Sequence, residues 1–266
     1  EDITTGDEVI TMSAGANTLN LGSSLAGNQS HLGGVLTVND TGTAATDSIV
    51  VNNKSLNSTT GANVDIGDLA GSTTNGFVFG GYESVTFDTG QGSGSIEQNV
   101  LTLDINPDTA TTDVSLTLTG KNGIDIATDV TTTSTGKLTI DASGMTAQAT
   151  GTTTFDINST VQGTAGTLEI TGSGGDDIIV SGAFAATLSG GAGADNITGS
   201  AKNDTINGGA GKDTLVALGG TDTINGGEGT GDTIAFNGGV TLAAADDFTN
   251  KVSNVESLTA NGAQTG

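Results

Sequence analysis

From Gly172 onward the chain can be written in rows of nine residues, and the rows keep their register. They read GSGGDDIIV, SGAFAATLS, GGAGADNIT, GSAKNDTIN, GGAGKDTLV and ALGGTDTIN, followed by GGEGTGDTIAF, with one extra residue at Thr230 or Gly231. Sixth place is Asp in five of the first six rows: Asp177, Asp195, Asp204, Asp213 and Asp222. Eighth place is always a branched aliphatic residue: Ile179, Leu188, Ile197, Ile206, Leu215 and Ile224. Such a row cannot bury its own apolar residue alone and must stack on its neighbours.

The chemistry of the row follows from its places. Places seven to nine form a short strand whose middle residue points inward. Places one to six form a turn, where glycine permits positive φ and lets carbonyls aim at a common centre. Aspartate ends the turn and adds a carboxylate. Two rows make one coil, so every second turn stacks on the same edge. The space between stacked turns is then walled by oxygens and suits a hard, flexible cation of calcium size.

This Gly-Gly-x-Gly-x-Asp-x-aliphatic-x pattern resembles the calcium-binding nonapeptide repeat of RTX proteins, most closely at Gly190–Thr198 and Gly208–Val216. The resemblance implies a right-handed parallel β-roll with Ca2+ between stacked turns. Carried onto these rows, one ion takes Gly191, Gly193 and Asp195 from one turn and Gly208, Ala210 and Asp213 from the next. A second takes Gly209, Gly211, Asp213, Gly226, Glu228 and Asp232; a third takes Ser173, Gly175, Asp177, Gly190, Ala192 and Asp195. The extra residue of the last row is expected to disturb Asp232. The opposite edge is poorer: SGAFAA lacks the Asp, Lys202 stands where glycine belongs, and ALGGTD lacks its first glycine. One ion is expected there, between Asp204 and Asp222, and none at the Ala186 turn.

Composition narrows the rest. Only 33% of residues are hydrophobic and 3% aromatic, so a thin repetitive core is expected. The net charge of −24, from 30 acids and 6 bases, disfavours nucleic acid as a partner. No apolar run reaches the roughly 18 residues of a transmembrane helix, and EDITTGDEVI shows no amino-terminal secretion signal. Without cysteine there are no disulfides or thiolate metal sites. His31 is the single histidine, which leaves no histidine-based triad or metal centre, and the near absence of Trp and Tyr argues against a sugar-cleaving cleft. No enzyme activity is expected.

Residues 1–170 are rich in Thr, Asn and Gly and contain repeated half-buried strand patterns such as GVLTVND, NVLTLDI, VSLTLTG, GKLTIDA and GTLEITG. Their uneven spacing fits coils of a β-solenoid with variable loops, and also a sandwich of hairpins; the solenoid is the preferred reading. The expected organisation is all-β: a parallel β-helix over 1–170, a β-roll over 171–240 and a strand or cap region over 241–266. The one helical candidate is Ala243–Glu256. GYESVTFDTG and NVESLTANG look like one strand-entry element used twice, with Glu83 and Glu256 in the same place.

Together these features are similar to RTX-type bacterial S-layer proteins. That resemblance implies a secreted, self-assembling protein of the cell surface, exported by a type I route. Its expected partners are other copies in a lattice or filament and a cell-surface polysaccharide. The alternative is a calcium-folded module of a larger secreted adhesin, toxin or hydrolase.

Overall fold

In a computed structural model, residues 166–237 and 252–261 are described continuously; between residues 8 and 163 the described parts are strands with a few adjoining turn residues. All regular structure among the described residues is β-strand. Every pairing between these strands is parallel. Hairpins pair antiparallel strands, so the sandwich is excluded and the chain is a parallel β-solenoid.

The strands form sheets of six, eight and ten. Up to Ser84–Asp88 the chain alternates between the six- and ten-stranded sheets. From Asn99–Val100 to Thr167–Thr171 it visits all three in turn, and from Asp177–Val180 onward it alternates between the eight- and ten-stranded sheets. Coil length explains the second change, the loss of the third face in the repeats. Leu138 pairs with Leu168, thirty residues on, which leaves room for a third face. Leu188 pairs with Ile206, eighteen residues on, which is enough for two strands and two turns. The ten-stranded sheet crosses residue 170 without a break.

The core is thin, as its composition requires. Leu116, Ile140, Ile170, Leu188, Ile206 and Ile224 align across the ten-stranded sheet. Ile157, Ile179, Ile197, Leu215 and Ile234 align across the eight-stranded one. None of these is more than 5% exposed, and they include every place-eight aliphatic of the rows. Each contributes about 1.5–3 kcal/mol by burial, while ordering the backbone costs roughly 1–2 kcal/mol per residue. A two-row coil therefore needs further stabilisation from its turns.

Two sequence expectations change. The turn reading of places one to six fails on one edge. Strands Ala186–Ala192, Thr205–Gly211 and Thr223–Gly229 run on through the glycines, so that Gly191, Gly209 and Gly227 form rungs of the ladder. Glycine allows this because no side chain separates the backbones: at Gly209, with φ +116°, an added Cβ would collide with the Gly191 carbonyl oxygen. Residues 243–251 of the helical candidate Ala243–Glu256 lie outside the described residues, and its described end is strand Val252–Ser253, paired with Ile224 and Asn225, in place of the expected helix. Of the two strand-entry elements, Ser84–Asp88 joins the ten-stranded sheet and Ser257–Asn261 the eight-stranded one. Both strands start just after the glutamate, and Glu83 itself lies outside the described residues.

Candidate metal centre

Stacking the rows places their aspartates in columns, and each Asp is tied to the coil before it. The N–H of Phe155 donates to Oδ1 of Asp177 at 2.9 Å, that of Asp177 to Asp195 at 2.9 Å, and that of Asp195 to Asp213 at 2.9 Å. The N–H of Asp213 then donates to Oδ1 of Asp232 at 2.8 Å, so the extra residue of the last row does not displace Asp232. The insertion is taken up beside it, at Gly231 with φ +99°.

The second carboxylate oxygen behaves differently along the column. Oδ2 of Asp195, Asp213 and Asp232 is buried and receives no hydrogen bond. Each lies against a carbonyl of the next coil, in a space that only glycine leaves open. A Cβ on Gly190 would strike both Oδ2 of Asp195 and the carbonyl oxygen of Gly208; one on Gly208 would strike Oδ2 of Asp213 and the carbonyl oxygen of Gly226. Leaving a buried polar atom unpaired costs about 1–3 kcal/mol, and more when it is charged. Bare carboxylate oxygens with backbone carbonyl oxygens beside them are what a hard cation requires. Among the described residues no three acidic or histidine side chains cluster as a metal site, so backbone carbonyls must supply most of the shell.

Place two of the row decides whether Oδ2 stays bare. Where it is serine, the protein fills the role itself. Ser173 donates its N–H to Oδ2 of Asp177 at 2.6 Å and its hydroxyl to Oδ1 at 2.7 Å. On the opposite edge Ser200 does the same for Asp204, donating its N–H to Oδ2 at 2.6 Å. Oδ1 of Asp204 accepts from Ala186, and Asp222 accepts the N–H of Asp204, both through Oδ1. Where place two is Gly191, Gly209 or Gly227, that residue pairs in the strand ladder and donates nothing to Oδ2, which is left for an ion.

Burial raises the affinity of these carboxyls for protons. Desolvation lifts Asp177 to about 7, and desolvation with the neighbouring Asp177 charge lifts Asp195 to about 8; Asp213 is raised for the first reason. A divalent cation between the turns reverses that balance and favours the ionised form.

The residues assigned from sequence are brought together in register. Gly191, Gly209 and Gly227 stack, as do Gly193, Gly211 and Gly229, and Ala210 lies between Ala192 and Glu228. The Ala210 carbonyl accepts the Gly193 N–H at 2.8 Å, and the Ser173 carbonyl accepts the Ala192 N–H at 3.2 Å, so these oxygens offer an ion only their second lone pair. A Cβ on Gly193 would meet the Gly175 carbonyl. Sequence reasoning left the role of Glu256 open. Its Oε2 accepts the N–H groups of Gly231 at 3.0 Å and Asp232 at 2.8 Å, continuing the aspartate column by one rung.

The fold and its columns define a class: a parallel β-roll whose stacked turns hold cations. The family comparison names the cation. Residues 155–188, 189–224 and 198–231 match the model of the RTX calcium-binding nonapeptide repeat. The chain carries RTX-type repeats, and their ion is Ca2+. Comparison with curated proteins and with solved structures finds no match.

Proposed function

We propose that this chain is a calcium-dependent structural protein of the bacterial cell surface, which assembles with further copies into an S-layer or related lattice and has no enzymatic activity. Proteins with RTX repeats are typically secreted, and extracellular calcium is what an acidic, donor-poor column needs in order to close. The observation that carries the reading is the continuity of the ten-stranded sheet. The same sheet whose ladder takes in the repeat glycines Gly191, Gly209 and Gly227 extends back to Thr18–Leu21. Calcium order in the repeats is thereby coupled to a long, repetitive body.

At −24 per chain, close packing of copies meets strong repulsion. Bound calcium lowers that charge and bridges acids between copies; sodium chloride only screens. Millimolar calcium is expected to give ordered sheets or filaments, seen by light scattering and electron microscopy, while sodium chloride at matched ionic strength does not. Calcium-loaded protein that stays monomeric at high concentration would replace this reading with that of a module in a larger secreted adhesin, toxin or hydrolase.

A further inference from the structure

The matched repeats end at residue 231, yet the column of oxygens continues past them. Oδ2 of Asp232 is bare, and Asp232 is 1% exposed. The pairing of Ile224 with Val252 and of Asn225 with Ser253 sets Asn254 next along from Gly226, where the following turn would begin. A Cβ on Gly226 would strike the Asn254 carbonyl oxygen and come within 2.7 Å of Oδ2 of Asp232. This is the same cradle that Gly208 and Gly190 form one and two coils earlier. Asn254 has φ 53°, the one positive value among described residues other than glycine. Asparagine tolerates that left-handed geometry, which the repeats reach with glycine. Its side chain also donates to Oδ1 of Asn225 at 2.8 Å. Glu256 then accepts the Asp232 N–H at 2.8 Å, the bond that each column Asp accepts from the coil before it.

We propose that residues 252–261 complete one more calcium level beyond the repeats, formed by Oδ2 of Asp232, the carbonyl oxygen of Asn254 and the carboxylate of Glu256. Two hydrogen bonds to Oε2 fix this carboxylate over the column. The longer glutamate side chain spans a turn that has only Asn254 and Val255 between Ser253 and Glu256. That short turn offers no counterpart to Ala210 or Glu228, so the level has fewer protein ligands than those below it and fills last. Its role is to fasten strand Ser257–Asn261 to the roll through an ion. The proposal rests on calcium binding by the repeats and is independent of lattice formation.

Calcium stoichiometry and affinity of the full chain, by equilibrium dialysis and calorimetry, test it. Glu256→Gln keeps an acceptor for the two N–H groups but loses the charge. It is expected to bind one ion fewer, or to hold the weakest ion about ten-fold less tightly. Wild-type stoichiometry and affinities in Glu256→Gln would refute the level while leaving the repeats as calcium sites. A parent chain that takes up no calcium would refute both. Hydrogen exchange on the unaltered chain gives a readout free of folding artefacts. Amides of Ser257–Asn261 should gain protection in the last step of a calcium titration, and equal protection in chelator would sink the proposal.

Discussion

The backbone N–H of Asp195 donates to Oδ1 of Asp213 across eighteen residues of chain, while Oδ2 of Asp213 receives nothing. One carboxylate thus does two tasks: it ties two coils together and presents a bare oxygen to an ion. At Asp204 both oxygens are already engaged, by Ala186 and Ser200.

That contrast separates two variants. Asp213→Asn keeps the N–H bond through its amide oxygen but turns an amide group or a neutral oxygen toward the ion. Calcium affinity should fall by about ten-fold or more, measured by calorimetry. Asp204→Asn puts an amide against the donors of Ser200. It should lower the stability of the calcium-free chain by about 1–3 kcal/mol and change affinity less. Equal losses of calcium affinity in the two variants would contradict the difference between the edges.

Glycine at the ladder positions should be irreplaceable, while Gly219, which is outside the ladder and has room beside it for a Cβ, should not be. Gly209→Ala combines φ +116° with a Cβ driven into the Gly191 backbone. It should cost more than about 2 kcal/mol in thermal unfolding with calcium present. At Gly219 the nearest atom to an added Cβ is 3.7 Å away, and the backbone is not left-handed. Gly219→Ala should stay within about 1 kcal/mol of the parent.

Acid and calcium should act as alternatives. Asp177 and Asp195 sit near 7 and 8 in the folded, calcium-free chain, above the value of 3.8 for a free carboxyl. The folded form therefore keeps protons that the unfolded form has released. That contribution is fully present below pH 3.8 and is lost as pH rises through about 7 to 8. In chelator, circular dichroism melts should show the roll more stable at pH 5 than at pH 8, a window taken from these shifts. Calcium binding near neutral pH should release protons and strengthen as pH rises; a titration in weak buffer with a pH indicator reads this directly.

Magnesium should substitute poorly. It needs a tight octahedral shell and gives up water reluctantly, whereas these turns offer carbonyls already engaged in the ladder, such as that of Ala210. Circular dichroism in excess chelator, followed by either ion, should show strand recovery with calcium and little with magnesium at the same concentration.

The repeat register was legible because it is local: Ile179, Leu188, Ile197, Ile206, Leu215 and Ile224 all went to the core from their place in the row. The aspartate edge was legible for the same reason. What stayed hidden depends on stacking. Nothing in the order of residues says that Oδ1 of Asp195 will hold the N–H of Asp177, or that Ser173 and Ser200 will quench the carboxylates four places on. The glycine segments read as turns because glycine marks turns, yet stacked on one another they pair as strand. The placement of Glu256 was invisible because the coil from Ile224 to Val252 spans 28 residues and breaks the nine-residue rhythm. The three-faced stretch was hidden by uneven loops, which leave no period to read.

The eighteen-residue coil has a consequence for how such a chain can change length. Removing residues 190–207 would set Asp213 over Asp177, and every later turn would keep its edge. Removing residues 190–198 alone would place Asp204, with its serine-quenched carboxylate, in the calcium column, and would move each later row to the opposite side. Duplications and deletions are therefore neutral to the ion column only in whole coils. A gene for this roll can grow or shrink by pairs of repeats, while a single repeat gained or lost exchanges the two edges.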